Sequence, residues 1–346
     1  MRKNRLFVLL ALSLAVCMLL TGCVAARTIR EDSVKEDLPS VEPDAGIRRD
    51  VNAMLYFRLS GERYLASVYA EVPVHINETP EAAIVRALLN ANHIAAEDDL
   101  SSAFPDGTEI KEVTKDNNIL YVTLSSAYLD DGPLQQAEQE KREQLEQNLI
   151  TKAEYDAQME ALREEIYTQR RMGLYAIVNS VTAYDPTLRV LLSAERQEGD
   201  SERIHYDELG IETETELSSS LIEPLSFEES VIATPESMLE CVLRHLVLGE
   251  TEKAYFWIAE GQNTRPTLSE FEAALENAER ITQYEMTGFS LGSNVNYAYA
   301  EADITVVRAS DGKETTRHKR IRMQKEGELY KADHESLLQA VGGKLE

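Results

Sequence analysis

Cysteine is scarce in this sequence: 346 residues contain three, which are Cys17, Cys23 and Cys241. Small secreted folds that depend on disulfide bonds need a larger and even set. The chain must therefore be stabilised by hydrophobic cores, and its apolar fraction of 43% is ordinary for a globular protein. A chain of this length suggests about two domains.

Positive charge is also scarce. The chain has 35 Lys and Arg against 61 Asp and Glu, which gives a formal net charge of −26. Phosphate backbones repel such an acidic protein, so we expect no nucleic acid among its partners. Anionic lipid head groups repel it in the same way, so charge alone would not hold it at a membrane.

Long hydrophobic runs are missing, apart from the one between Leu6 and Leu20. At about 1.5 Å per residue this run reaches only about 22 Å as a helix, which is short of the roughly 30 Å hydrocarbon core of a bilayer. The basic residues Arg2, Lys3 and Arg5 precede it. This layout is typical of a secretory signal peptide and less typical of a spanning helix.

The run ends in Leu20, Thr21, Gly22 and Cys23, which resembles a bacterial lipobox. The small side chains let a peptidase reach the bond before Cys23, and the thiol can carry a thioether-linked diacylglycerol. Two fatty acyl chains, such as palmitate, give a stable membrane anchor, whereas one gives only a marginal anchor. We therefore expect a lipid on Cys23 and a location on the extracytoplasmic face of the cell membrane. The alternative is an ordinary secreted protein with a chance cysteine.

Composition divides the chain after its signal peptide (residues 1–22) into two patterned parts and two acidic segments. Residues 23–50 are polar and acidic, which predicts a disordered tether. Residues 195–233 are acidic, rich in Ser and Thr and weakly periodic, which predicts a linker. Residues 51–194 and 234–346 are patterned, so we expect an α+β protein of two small domains.

The pattern of residues 51–194 predicts a small α/β domain. Alternating apolar residues predict strands at Val51–Leu59 and Tyr64–Val74, with Gly61 in the turn between them. Thr79 followed by Pro80 predicts a helix start. The other predicted elements are a turn at Phe104–Gly107, strands at Glu109–Val113, Ile119–Leu124 and Leu188–Leu192, and a helical pattern from Pro133 to Val181 that restarts at a capping box, Thr151–Glu154.

The order of these elements resembles the GerMN domain of spore-formation and germination lipoproteins. The residues that carry the resemblance are Leu55–Phe57, Ala83–Leu89, Phe104–Thr108, Leu120–Ser125 and Tyr175–Thr182. The resemblance implies a small α/β domain of envelope-anchored proteins and brings no active site with it. The chain departs from the family pattern in a helical arm at about residues 133–170, which looks like an insertion. It also has Ala194-Glu195 where the family often has Asp-Gly.

The pattern of residues 234–346 predicts helices followed by an antiparallel sheet. Thr234 and Thr267 are predicted helix starts, and the second helix is expected to carry Phe271, Leu275 and Ile281. Strands are predicted at Tyr284–Leu291, Asn296–Arg308, Thr315–Lys325 and Leu329–Ala332. This order resembles the cone-shaped fold of the nuclear-transport-factor-two superfamily. The resemblance is carried by Leu248–Glu250, Lys253–Tyr255 and Gly327–Ala332, with Tyr330 where relatives often have Trp.

Cys241 and His245 are four residues apart and therefore share one face of a predicted helix. They could form an imidazole-activated thiol or half of a metal site. A buried apolar stripe is favoured instead, because unpaired cysteine is among the most buried residue types. A zinc site would need more ligands, and the remaining histidines are isolated in the sequence: His75, His93, His205, His318 and His334. We therefore predict no metal and no cofactor.

Two further groups of residues are candidate sites. The superfamily resemblance makes Tyr299 and Asp303, on one face of a predicted strand, a candidate acid and tyrosine pair. Ordinary strand residues are favoured there. The acidic stretches Glu97–Asp99 and Asp130–Asp131 lack the alternating oxygen ligands and the glycine of a calcium loop.

The helical arm is the best candidate for an interaction surface. Tyr155, Met159, Leu162 and Ile166 follow a seam-like spacing, whereas the first half of the arm has few apolar residues. An incompletely covered apolar stripe invites a partner. An equally supported alternative is a charge-laced hairpin, meaning two helices that pack on each other and carry ion pairs one helical turn apart on their surface.

No catalytic constellation emerges from the residues, so we expect a binding or scaffold lipoprotein and not an enzyme. The expected partners are the membrane, through the lipid anchor, and other envelope proteins or peptidoglycan. A role in sporulation or germination is implied by the GerMN resemblance. The alternatives are a small-ligand binder or cavity enzyme in the C-terminal domain, and the solute-binding lipoprotein of a transporter. No ligand-binding residues and no oligomeric state follow from the sequence.

Overall fold

The computed structural model describes residues 49–90, 99–197, 199–211, 220–261, 265–308 and 312–343. The predictions for the signal peptide, for Leu20 to Cys23, for the tether up to residue 48, and for His93, Glu97 and Asp98 lie outside these residues. Within them the protein is α+β, as predicted, with seven α-helices and three sheets. Contacts join the described residues of Asp50–Val74 and Glu78–Glu346 into one compact unit.

Among the described helices, none is both long enough and apolar enough to cross a membrane.

The N-terminal half contains two sheets. The first has β1 (Arg49–Leu59) between β2 (Leu65–Val74) and the short β3 (Leu100–Ser101). The second has the order β4-β5-β6-β7, in which only β5 and β6 run parallel. Its strands are β4 (Ile110–Asp116), β5 (Ile119–Leu124), β6 (Arg189–Gln197) and β7 (Asp200–Arg203).

Three helices accompany these sheets: α1 (Pro80–Leu89), α2 (Gly132–Glu146) and α3 (Lys152–Tyr184). Thr79 caps α1 by accepting a hydrogen bond from the backbone of Ala82, and Thr151 and Glu154 form the predicted capping box of α3. The C-terminal half of α3 is buried in the hydrophobic core of the N-terminal half, here called the first core, through Leu174, Ile177, Val178 and Val181, together with apolar residues of β5 and β6. This half of α3 is thus the packed part of the segment that connects the parallel strands β5 and β6.

The turn that follows Phe104 is closed one residue later than predicted. The Thr108 amide donates to the Pro105 carbonyl at 3.2 Å, and Gly107 has a φ of +77°. Helix α3 packs closely against the loop before this turn. A Cβ on Gly173 of α3 would come within 2.9 Å of the Ala103 carbonyl oxygen. A glycine on α3 therefore allows the helix to pass directly over this loop.

The helical arm forms a hairpin from α2 and the first half of α3. No residue of α2 is buried, and Met159 is the only buried residue of the seam that the sequence predicted. Exposed ion pairs one helical turn apart cover its surface, including Glu138–Arg142 and Lys152–Asp156. These features agree with a charge-laced hairpin that closes on itself.

The segment 195–233 differs from the predicted linker over its described residues. Strand β6 continues to Gln197, and β7 pairs with it in antiparallel register. Ile204, Leu209 and Ile222 are buried in the first core. A few well-spaced apolar side chains are enough to fold this acidic stretch onto the N-terminal half.

The C-terminal half has three helices before its sheet, α4 (Pro235–Leu248), α5 (Thr251–Phe256) and α6 (Leu268–Glu276). The sheet is antiparallel throughout, in the order β11-β10-β9-β8. Its strands are β8 (Arg280–Leu291), β9 (Tyr297–Val307), β10 (Glu314–Glu326) and β11 (Leu329–Ala332). The buried face of β9 is lined by Ala298, Ala300, Ala302, Ile304 and Val306.

Two features of this half differ from expectation. Ile281 lies in β8 and not in the helix before it. A final helix, α7 (His334–Val341), was not predicted, although Asp333 caps it through the Ser336 amide and Gly342 ends it at positive φ. Both differences occur at junctions where three residues or fewer separate one element from the next.

Candidate functional site

A cleft of about 650 Å³ lies where the turn between β1 and β2 meets α3 and the segment from α4 to α5. Gly61 allows the turn by adopting a φ of +74°. The turn directs the next residue, Glu62, towards the C-terminal helices. The cleft is lined by Ser60, Gly61, Glu62, Ala161, Glu165, His245, Glu252, Lys253, Phe256 and Trp257.

Glu62 is the centre of a buried polar network, with only 1% of its side chain exposed. Its Oε1 accepts a hydrogen bond from Trp257 Nε1 at 2.9 Å and lies 2.7 Å from His245 Nε2. Its Oε2 accepts from Arg244. Burial alone would raise the pKa of Glu62, but the His245 hydrogen bond and the charge of Arg244 outweigh it, so the pKa is lowered. Glu62 is therefore ionised at neutral pH.

His245 is held between two carboxylates. Its Nε2 faces Glu62, and its Nδ1 lies 2.7 Å from Glu250 Oε2. An ionised carboxylate only accepts hydrogen bonds, so each of these contacts needs a proton on the ring nitrogen that makes it. The contact between Arg244 Nη2 and the same Nε2 is longer, at 3.3 Å.

The turn is also anchored from the N-terminal half. Arg58 is buried, donates from Nε to the Glu62 carbonyl at 2.6 Å, and forms a two-point ion pair with Glu165 of α3 at 2.6 and 2.9 Å. On the other side, Arg63 and Tyr64 both donate to Glu240 of α4. Charge-assisted bonds of this kind fix geometry strongly. The network therefore clamps the β1–β2 turn between α3 and α4.

Cys241 and His245 share one face of α4, as predicted, and both are buried. The imidazole nitrogens point to Glu62 and Glu250, as described above. Burial, assisted by the nearby charge of Glu62, raises the pKa of the Cys241 thiol well above its ordinary value. This environment holds the sulfur as an unreactive thiol.

Tyr299 and Asp303 lie on a common face of β9, as predicted, but it is the face opposite the core. Asp303 Oδ1 is 2.9 Å from His318 Nδ1, and the Arg320 guanidinium stacks 4.2 Å from the centre of the Tyr299 ring. A second cavity of about 470 Å³ includes Asp303 but not Tyr299 among its lining residues. The pair is therefore not brought together at one site.

The acidic candidates have structural partners. Asp131 pairs with the buried Arg170 at 2.7 Å, and Asp130 accepts from the Gly132 amide at the start of α2. Asp99 pairs with Lys331 at 2.8 Å. Among the residues with described positions, no group of three or more His, Cys, Asp or Glu side chains could hold a metal ion.

Sequence reasoning missed Glu62, Arg58 and Trp257. A Gly-Glu-Arg sequence between two apolar strands is typical of an exposed turn, so the charge at Glu62 gave no signal of burial. Its partners His245 and Trp257 are 183 and 195 residues away in the chain. The one available hint was that Trp257 is the only tryptophan in the sequence.

A comparison with curated proteins finds no match to this chain. Residues 54–158 match the family model Germane, which is described as sporulation and spore germination. The matched range runs from within β1 to the first turns of α3 and thus includes α2 and the tip of the arm. It supports the GerMN resemblance for this part of the chain.

Proposed function

We propose that this chain is a lipid-anchored, extracytoplasmic binding or scaffold protein of the cell envelope that acts in sporulation or germination. The match of residues 54–158 to the sporulation and germination family carries the proposal. The lipobox-like run from Leu20 to Cys23, after a basic start and a short apolar segment, supports the anchor and the location.

The Glu62 network supports a binding role over a catalytic one. Its charged groups are engaged with one another, and the one cysteine beside it is buried as a thiol. Groups used in this way hold two parts of a protein together. We therefore propose that the network holds the two halves of the protein together. Both halves then present one surface to envelope proteins or peptidoglycan.

The C-terminal half is proposed to be a cone-like relative of the nuclear-transport-factor-two superfamily. The three helices before a four-stranded antiparallel sheet support this assignment. The solute-binding alternative has less support, because it needs two lobes of repeated strand–helix–strand units around a cleft. The described residues after Thr234 instead run as helices and then antiparallel strands.

Gene deletion with complementation tests the proposal. We expect the deletion to lower spore yield or slow germination, and the wild-type gene to restore both. A Cys23→Ala variant should be released from the membrane fraction and fail to restore them, whereas Cys241→Ala, the matched change at the buried thiol, should restore them. Normal sporulation and germination in the deletion strain would refute the role, and full rescue by a released Cys23→Ala protein would refute the anchor.

A further inference from the structure

The open part of the cleft combines an aromatic wall with carboxylates. The half-buried Phe256 meets Trp257 edge to face, with ring centroids 4.7 Å apart. Glu252 is exposed and lies four residues before Phe256 on α5, so the two side chains share one face of that helix. A volume of about 650 Å³ is typical of a site for a small molecule.

Most charges around the cleft are already matched. Glu165 pairs with Arg58, Glu62 pairs with Arg244 and His245, and Lys253 pairs with Glu250 at 2.8 Å. Glu252 differs, because it makes no ion pair or side-chain hydrogen bond within the described part of the chain. One lining carboxylate thus remains available, in a protein whose net charge of −26 concentrates cations near its surface.

The same aromatic pair already accepts an ammonium group from within the protein. The Nζ of Lys331 lies 5.6 Å from the ring centre of Phe256 and 5.8 Å from that of Trp257, and Asp99 pairs with it at 2.8 Å. An ammonium within about 6 Å of an aromatic ring is attracted by the ring quadrupole. Aromatic rings beside a carboxylate are thus an arrangement that this chain itself uses to hold an alkylammonium group.

We infer that the cleft binds a small ligand that carries a primary ammonium on an apolar chain. The ammonium pairs with Glu252, and the apolar chain lies along Phe256. This inference rests on the binding role proposed above and names the chemistry of the ligand. Two sources share this chemistry, a free diamine and the lysine side chain of a short peptide.

Titration calorimetry on the full-length protein in non-ionic micelles tests the inference. The probes are 1,5-diaminopentane, Nα-acetyl-lysine methylamide and the neutral 1,5-pentanediol. We expect saturable binding of at least one ammonium probe and none of the diol. Tighter binding of the diamine identifies the free source, and tighter binding of the lysine derivative identifies the peptide source.

Variants test the two contacts. Glu252→Gln should weaken ammonium binding by about three-fold, the usual size for one exposed charge pair, and Phe256→Leu by a similar factor through loss of the ring. Glu272→Gln, the same change at an exposed position of α6, should leave binding unchanged. Equal binding of the diol, no saturable binding of either ammonium probe, or equal behaviour of Glu252→Gln and Glu272→Gln would overturn the inference. The phenotype of the deletion strain would still test the proposed function independently.

Discussion

At the scale of single residues, Glu62 shows how a surface-like sequence can become a buried centre. An isolated buried carboxylate is costly, so it is stable only when paired and hydrogen-bonded. Trp257, His245 and Arg244 satisfy both of its oxygens. The turn is therefore specified by partners in the other half of the chain as well as by its own glycine.

We predict that Glu62→Gln destabilises the protein, because the neutral amide removes the negative charge that pairs with Arg244. Breaking a buried charge pair in this way should lower the free energy of unfolding by about 3 kcal/mol. Urea unfolding followed by the fluorescence of Trp257 measures the change. Glu272→Gln, at an exposed site, is the control and should change stability by less than about 0.5 kcal/mol. Equal effects of the two variants would contradict the assigned role of Glu62.

The pairing of Glu62 should also change how the stability of the protein depends on pH. The pKa of Glu62 is lowered below its ordinary value of 4.5, because the His245 bond and the Arg244 charge outweigh burial. A lowered carboxylate pKa adds stability that is fully present above the unfolded value and is lost as the pH falls through the folded value. The free energy of unfolding should therefore decrease as the pH drops below about 4.5, and this decrease should be less steep in Glu62→Gln. Identical acid profiles for the two proteins, measured by urea unfolding, would contradict this.

At the scale of elements, local chemistry predicted most of the helix starts and hairpins. Each of the four threonines predicted from sequence accepts the expected capping bond: Thr79, Thr151, Thr234 and Thr267. Two elements were missed. Strand β7, which pairs with its neighbour β6, consists of Asp200, Ser201, Glu202 and Arg203 and has no apolar alternation. Helix α7 was missed although its capping residues, Asp333 and Gly342, are in the sequence.

One side chain adds to the backbone bonds that hold the segment after β7 in place. Asn179 of α3 is fully buried, donates to the Glu228 carbonyl at 2.9 Å and accepts from the Glu228 amide at 2.8 Å. These two bonds satisfy the Glu228 backbone, between the points at Leu225 and Val231 where the segment pairs with the backbone of other elements. The capacity of one amide to act as both donor and acceptor is what the position requires.

We predict that Asn179→Ala releases this segment locally. Losing both bonds should cost about 2 kcal/mol, since the Glu228 groups lose their partner. Hydrogen–deuterium exchange should increase in residues 220–233 and stay unchanged in β9 and β10. Asn52→Ala, at an exposed position of β1, is the control. Unchanged exchange in residues 220–233 would show that Asn179 does not hold the segment.

At the scale of the whole molecule, two hydrophobic cores meet at the β1–β2 hairpin. One core contains most of β1 and β2 with α1, α3 and β4–β6, and the other contains the C-terminal helices and sheet. Leu59, Tyr64 and Ala66, from the end of the hairpin, are buried in the second core. The hairpin therefore belongs to both halves.

The sequence pattern predicted two α+β halves but not their junction. Periodicity reports which residues of one element are buried, and it does not report which other element buries them. Leu59 and Tyr64 look like ordinary strand ends, and Glu62 looks like a turn residue. Only the folded chain shows that they pack against α4 and α5.

We expect the clamp at Glu62 to make the two halves of the protein unfold as one unit. Hydrogen–deuterium exchange of the full-length protein across a urea series tests it, with β5–β6 reporting one core and β9–β10 the other. We predict that both regions of the wild-type protein lose protection at the same urea concentration and that Glu62→Gln separates the two midpoints. Two separate midpoints in the wild-type protein would contradict the claim.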